Sequence, residues 1–195
     1  MYIEVSIGEA VDKLSILEIK EKYIKNKEKI IEIQKEICSL KQCEKYKKLL
    51  PNYYKLLVYV NETIWKLTDH IKKLKIDNPD FAKTADHIFE YNQKRFRIKK
   101  IFNLKFDSNI KEQKGYYETH CQITSSQDAF IKKISEIYYL TLNYDIVSFK
   151  DLDKSFIENH IETPVLITEI QATQNIHLDS FFIDKSSFLS YIPHI

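Results

Sequence analysis

The sequence predicts a mainly α protein, α+β overall, in which a long antiparallel helical hairpin and a third long helix form a bundle that carries a small C-terminal α/β appendage. Three observations predict it. Apolar residues alternate by three and four over long stretches, a proline-containing break separates a further helical stretch, and composition shifts toward β-branched and aromatic residues after Gly115. The expected division is a helical domain over residues 1–125 and an extension over 126–195.

Tyr2-Ile3-Glu4-Val5 alternates like a short strand, and Ser6 and Glu9 have the spacing of a capping box that starts a helix. From there Ile16, Ile19, Tyr23, Asn26, Ile30, Ile33, Ile37 and Leu40 follow a heptad-like series broken only by Asn26. One helix over about 7–48 is the expectation. Pro51 suits the first turn of a second helix, whose series Tyr53, Leu57, Val60, Ile64, Leu67, Ile71 and Leu74 has no polar interruption. The short connection predicts an antiparallel pair.

Asp77-Asn78-Pro79-Asp80 offers an asparagine cap, a proline at the first helical position and an acidic first turn, so a third helix is expected over 79–105. After Gly115, a helix is expected over 127–137 and a strand or hairpin over 138–149. A helix capped by Asp151 then reaches Ile161, and strands follow in PVLITEIQ and IHLDSFFID. That tail is too short for a complete nucleotide-binding fold.

Net charge is +2, with 30 basic and 28 acidic residues interleaved, which describes a solvated surface rather than a nucleic-acid footprint. Three cysteines without a CxxC pair favour neither a disulfide framework nor a zinc knuckle, and point to a reducing, cytoplasmic setting. The N-terminus does not read as a signal peptide, and no apolar run is long enough to span a membrane. The six histidines show no ligand spacing, and two glycines cannot build a phosphate-cradling loop, so no metal or cofactor is expected.

Arginine occurs only at Arg95 and Arg97, every other basic residue being lysine. In a lysine-rich chain these mark places where the planar guanidinium fork matters. Asn92, Arg95, Lys99 and Asn103 fall on one narrow stripe of the third helix, where amides and cations could hold a phosphate or carboxylate. The alternative is a solvated stripe or an internal polar network. Glu9, Lys13 and Lys20 lie near one face of the first helix, with Asp12 one step round. Glu9 suits the capping role, whereas Asp12 lies past the first orphan N–H groups and is the better general-base or site candidate. The polar loop with Lys111, Glu112, Lys114, Gly115 and Tyr116 could complete a site or merely connect elements. Trp65, between seam positions, reads as packing.

These residues also carry a resemblance. Ile3-Glu4-Val5-Ser6, Gly8-Glu9 and Asp12-Lys13-Leu14-Ser15-Ile16-Leu17-Glu18-Ile19-Lys20 resemble the opening of the domain of unknown function 6165 family. Asn61, Ile64-Trp65, Asp69, Phe81, Asn92, Arg95, Ile98-Lys99, Asn103, Ser108, Lys111-Glu112, Lys114 and Tyr116 follow in the same order. The resemblance covers about residues 1–120. Gly115 departs from it, standing where a serine-like residue is expected, and so does the long tail. It implies a small helical protein associated with lipopolysaccharide or other surface-glycan assembly, an association rather than a mechanism.

Three functions compete on this reading. The first is an accessory protein that binds an anionic, sugar-phosphate-type small molecule at Arg95 and Lys99. The second is an oligomeric or partner-binding helical scaffold in which Asn26 sets the register of a coiled coil. The third is a small helical enzyme with Asp12 or Glu9 as base, which requires Asp12 within about 4 Å of Arg95 or Lys99.

Overall fold

The structure, a computed structural model, describes residues 3–113, 115, 117–164 and 172–183. They fall into two compact units, Met1–Lys111 and Glu112–Ile195. Mainly α architecture with a small α/β appendage is what the elements show.

The first unit holds helices α1 (Ile7–Tyr23), α2 (Lys27–Ser39), α3 (Glu44–Leu49), α4 (Pro51–Ile71) and α5 (Pro79–Lys105), with a 3-10 turn, Lys41–Cys43, before α3. The third predicted helix is present with the expected bounds. Pro79 occupies its first turn, and the Asn78 side chain accepts from the Asp80 N–H at 2.9 Å. α4 begins at Pro51 as expected and ends at Ile71. α4 and α5 form the most extensive helix pair, and α1 packs on both. The shared core is Val11, Leu14 and Leu17 from α1, Tyr53, Leu57 and Val60 from α4, and Ile98 and Phe102 from α5, all fully buried. Each such side chain contributes about 1.5–3 kcal/mol relative to exposure.

The single helix expected over 7–48 is instead divided into α1, α2 and α3. Ile24 is extended (φ −79°, ψ 131°), and Asn26, rather than interrupting a seam, is the N-cap of α2 and accepts from the Lys29 N–H at 3.0 Å. An asparagine side chain that can satisfy a free N–H competes with helix continuation, and here the cap wins. The apolar repeat runs on across the break, but of α2 only Ile33 is buried. Asn26→Leu is therefore expected to cost about 1 kcal/mol of stability through the lost cap, with no change in molecular mass by light scattering. Calorimetry beside light scattering checks both. The strand expected at 2–5 is not formed by residues 3–5, which have no ladder partner among the described residues, and Tyr2 lies outside them.

The second unit contains strands β1 (His120–Thr124), β2 (Ile146–Lys150) and β3 (Gln174–His177) and helices α6 (Gln127–Lys132), α7 (Ile134–Asn143) and α8 (Lys154–His160). The sheet has order β2-β1-β3, and both pairings are parallel, with Ile123 opposite Phe149 and Ile176. A parallel sheet buries both faces, here with Cys121, Ile123, Val147 and Ile176 on one and His120, Ile146 and Ser148 on the other. Two expectations are corrected. Residues 138–143 continue a helix rather than a strand or hairpin, because Ile137, Tyr138, Leu140 and Leu142 are all buried and an apolar run of that kind has no distinguishing period. Asp153 rather than Asp151 stands at the N-cap position of α8, Asp151 having a positive φ of 65°. Of IHLDSFFID, Ile176 and His177 are in β3 and Leu178–Ser180 form a 3-10 turn, while residues 165–171 of the other expected strand lie outside the described residues.

No helix among the described residues is long and apolar enough to cross a membrane. All three cysteines are free, Cys38 exposed and Cys43 and Cys121 buried. Burial pushes the Cys121 thiol up to about 12, so it packs as an unreactive apolar group.

Candidate functional site

The start of α1 is held by residues spread over a hundred positions of sequence. The Ser6 hydroxyl accepts from the Glu9 N–H at 3.1 Å, the Ile7 N–H donates to the Ser108 hydroxyl at 3.0 Å, and the Gly8 N–H donates to Asn103 Oδ1 at 2.7 Å. Three N–H groups that a helix start leaves without partners are thereby satisfied. Gly8 allows this approach, since a Cβ there would stand 2.4 Å from the Lys99 carbonyl oxygen. The cap of the predicted box is present, but the Glu9 carboxylate turns to α5 and pairs with Lys99 at 2.6 Å. Lys99 is buried and Glu9 half exposed.

Asp12 is 4% exposed and lies one turn further along α1. Its Oδ1 accepts from Asn61 Nδ2 of α4 at 2.7 Å, and the same Nδ2 lies 2.8 Å from the Ser15 hydroxyl, which donates to the Asp12 carbonyl oxygen at 2.8 Å. Burial pushes the Asp12 carboxyl above its ordinary 3.8, opposed by the Asn61 hydrogen bond and by the nearby positive charges of Arg95 and Lys99, and reinforced by Glu9. Asp12 makes no ion pair with Arg95 or Lys99 among the described residues, although both influence it. With both donors of Asn61 committed, its Oδ1 is buried and meets no donor among the described residues. Leaving a buried amide oxygen without a donor costs about 1–3 kcal/mol.

Asn61 also lines a cleft of about 260 Å³ within the first unit. Its apolar wall is Ile16 of α1 with Ile64 and Trp65 of α4, and its polar wall includes Asp69, Lys72 and Arg95. Asn61, Trp65 and Asp69 recur every fourth residue and so share one face of α4. Tyr23 stacks on Trp65 with ring centroids 6.2 Å apart and planes 16° apart, which fixes the indole. Arg95 is half-buried and forms no hydrogen bond or ion pair among the described residues.

The predicted stripe thus separates into distinct roles. Asn92 donates to the Ile88 carbonyl at 2.8 Å on its own helix, Arg95 faces the cleft, Lys99 holds Glu9, and Asn103 clamps the start of α1. Lys13 pairs with Glu36 at 2.7 Å, Lys111 pairs with Asp107 at 3.1 Å, and Glu112 is exposed in the second unit. Lys114 and Tyr116 lie outside the described residues. Asn61, Trp65 and Asp69 come from the helix whose apolar repeat has no polar interruption. Their signal was present, a polar–aromatic–acidic series at four-residue spacing, but it sits beside the seam positions that dominate that helix.

No group of His, Cys, Asp and Glu side chains among the described residues is arranged to hold a metal ion. No curated protein and no solved structure matches the chain. A family model does match it, over residues 1–135, which takes in the whole first unit and the segment that the opening and later motifs span. On that match the chain belongs to the family described as Family of unknown function (DUF6165).

Proposed function

We propose that the first unit binds an anionic small molecule of the sugar-phosphate type, acting as an accessory protein of surface-glycan or lipopolysaccharide biosynthesis in the cytoplasm. One observation carries the binding reading: Arg95 lines a cleft and forms no hydrogen bond or ion pair among the described residues. A planar fork of donors left open beside an aromatic wall suits a phosphate or carboxylate. Lys99 supports the local positive field, but its contact with Glu9 makes it part of the scaffold. The biosynthetic setting comes from the family resemblance alone.

Asp12 fits a positioning role better than that of a base. Its carboxylate is buried, bonded to Asn61, and outside ion-pair range of both candidate clamp residues. Isothermal titration with sugar phosphates and nucleotide sugars tests the binding reading. Arg95→Ala is expected to weaken the tightest ligand about tenfold or more, the scale of a charge-assisted hydrogen bond, with Arg95→Lys in between. No binding by wild type across that panel sinks the proposal.

A further inference from the structure

The cleft offers three chemistries at once. Trp65, Ile64 and Ile16 give an apolar face, Arg95 and Lys72 give positive charge, and Asp69 gives acceptor oxygens one helical turn from the indole. The Asn61 amide is held in one orientation, because its Nδ2 is bonded at 2.7 Å to Asp12 and at 2.8 Å to Ser15. Its oxygen is buried and meets no donor among the described residues, so the exposed Asp69 carboxylate is the acceptor open to a ligand.

A bare inorganic anion would use only the cations. A lipid phosphate would use the cations and the apolar face, but brings no sugar hydroxyl to Asp69. A ligand that uses all three is a ring with an apolar C–H face, several hydroxyl donors and one phosphate. Size narrows the class further, since about 260 Å³ lies below the roughly 300–1,000 Å³ of sites that enclose drug-sized ligands. A second phosphate and a nucleoside would lie outside.

We infer that the cleft takes a monosaccharide monophosphate, its ring against Trp65, its hydroxyls donating to Asp69, and its phosphate on Arg95. This rests on the anionic-ligand reading of the same site and adds which half of the ligand is read, and by which residues. Asp69 is exposed, so it also repels a second anionic group and disfavours ligands that carry more charge than ring.

Trp65 is the chain's one tryptophan, so its emission reports on the cleft without interference. The full-length protein would be titrated, by fluorescence and by calorimetry, with the 1-phosphates of glucose, galactose and mannose, with inorganic phosphate, with free glucose and with uridine diphosphate glucose. The tightest hexose 1-phosphate is expected to bind at least about tenfold more strongly than any of the other three kinds of probe, and to change the indole emission. Asp69→Ala, a change at an exposed position whose fold circular dichroism would verify, is expected to weaken the hexose phosphate several-fold and to tighten inorganic phosphate. Inorganic phosphate binding as tightly as the hexose phosphates, with both lost in Arg95→Ala, would overturn the inference and leave the anionic-ligand reading standing. Tighter binding of uridine diphosphate glucose, unchanged indole emission on hexose phosphate binding, or an Asp69→Ala effect of the same sign on both probes would overturn it as well. No binding by any probe would remove both readings.

Discussion

Gly8→Ala is expected to destabilise the protein by about 2–3 kcal/mol, lowering the melting temperature of the first unit on the order of 10 °C. The added Cβ would stand 2.4 Å from the Lys99 carbonyl oxygen, 2.9 Å from its carbon and 3.0 Å from Asn103 Oδ1. Two of those three atoms are backbone of α5, so no side-chain rotation relieves the overlap. α1 must shift away, and the Gly8–Asn103 and Ile7–Ser108 hydrogen bonds stretch with it. Inside an ordinary helix the same change would stabilise by about 0.5–1 kcal/mol, so the sign of the measured effect is diagnostic. Gly115→Ala is the internal control, since nothing lies within 4 Å of a Cβ there. Scanning calorimetry that found Gly8→Ala as stable as wild type would refute the close approach of α1 to α5.

Asn61→Leu is expected to cost about 3 kcal/mol at neutral pH, because Asp12, 4% exposed, loses its Asn61 donor and no other side chain among the described residues donates to its carboxylate. The pH dependence follows from the direction of the Asp12 shift. Its folded pKa lies above the ordinary 3.8, so between those two values the folded state binds the proton more readily than the unfolded one. Wild-type stability from this group is therefore highest below 3.8, falls as pH rises to the folded pKa, and is flat above it. Losing the Asn61 bond raises the folded pKa further, so the Asn61→Leu deficit should shrink on acidification. Asp12→Asn removes the titration, and its stability relative to wild type should improve as pH rises through the same window. Denaturant titrations of the three proteins from acid to neutral pH would show this, and curves that stay parallel would contradict it.

The parts of the fold that were legible in the sequence are those where one local signal dominates. Asn78-Pro79 fixes the start of α5 because a cap and a φ-restricted residue act together, and Pro51 marks the start of α4 without a side-chain cap. The break at Asn26 is not legible in the sequence because the three-four repeat passes through it, and periodicity does not register a cap that terminates hydrogen bonding without changing phase. Strand β1 was not anticipated, since His120-Cys121-Gln122-Ile123-Thr124 is short and its pairing is entirely with distant segments.

The site divides along the same line. Arg95 and Asp12 could be singled out because each breaks a local expectation, arginine in a lysine-rich chain and an acid beyond the reach of a cap. Roles depend on long-range contacts: Asn103 looks like a ligand-binding amide until Gly8 is seen to use it. The contribution of α4 is hidden because every buried residue of that helix except Asn61 is apolar or aromatic, leaving Asn61 to be recognised only by what it holds.

The central claim, that Arg95 and Trp65 face one ligand in one cleft, can be read directly by nuclear magnetic resonance on the 15N-labelled protein. One indole signal and two arginine side-chain signals are available. Titration with hexose 1-phosphates is expected to move the Trp65 indole N–H and the Arg95 Nε–H together, with a common saturation curve, while Arg97 stays in place. Movement of Arg97 alone, or of neither arginine while Trp65 is also still, would contradict the account.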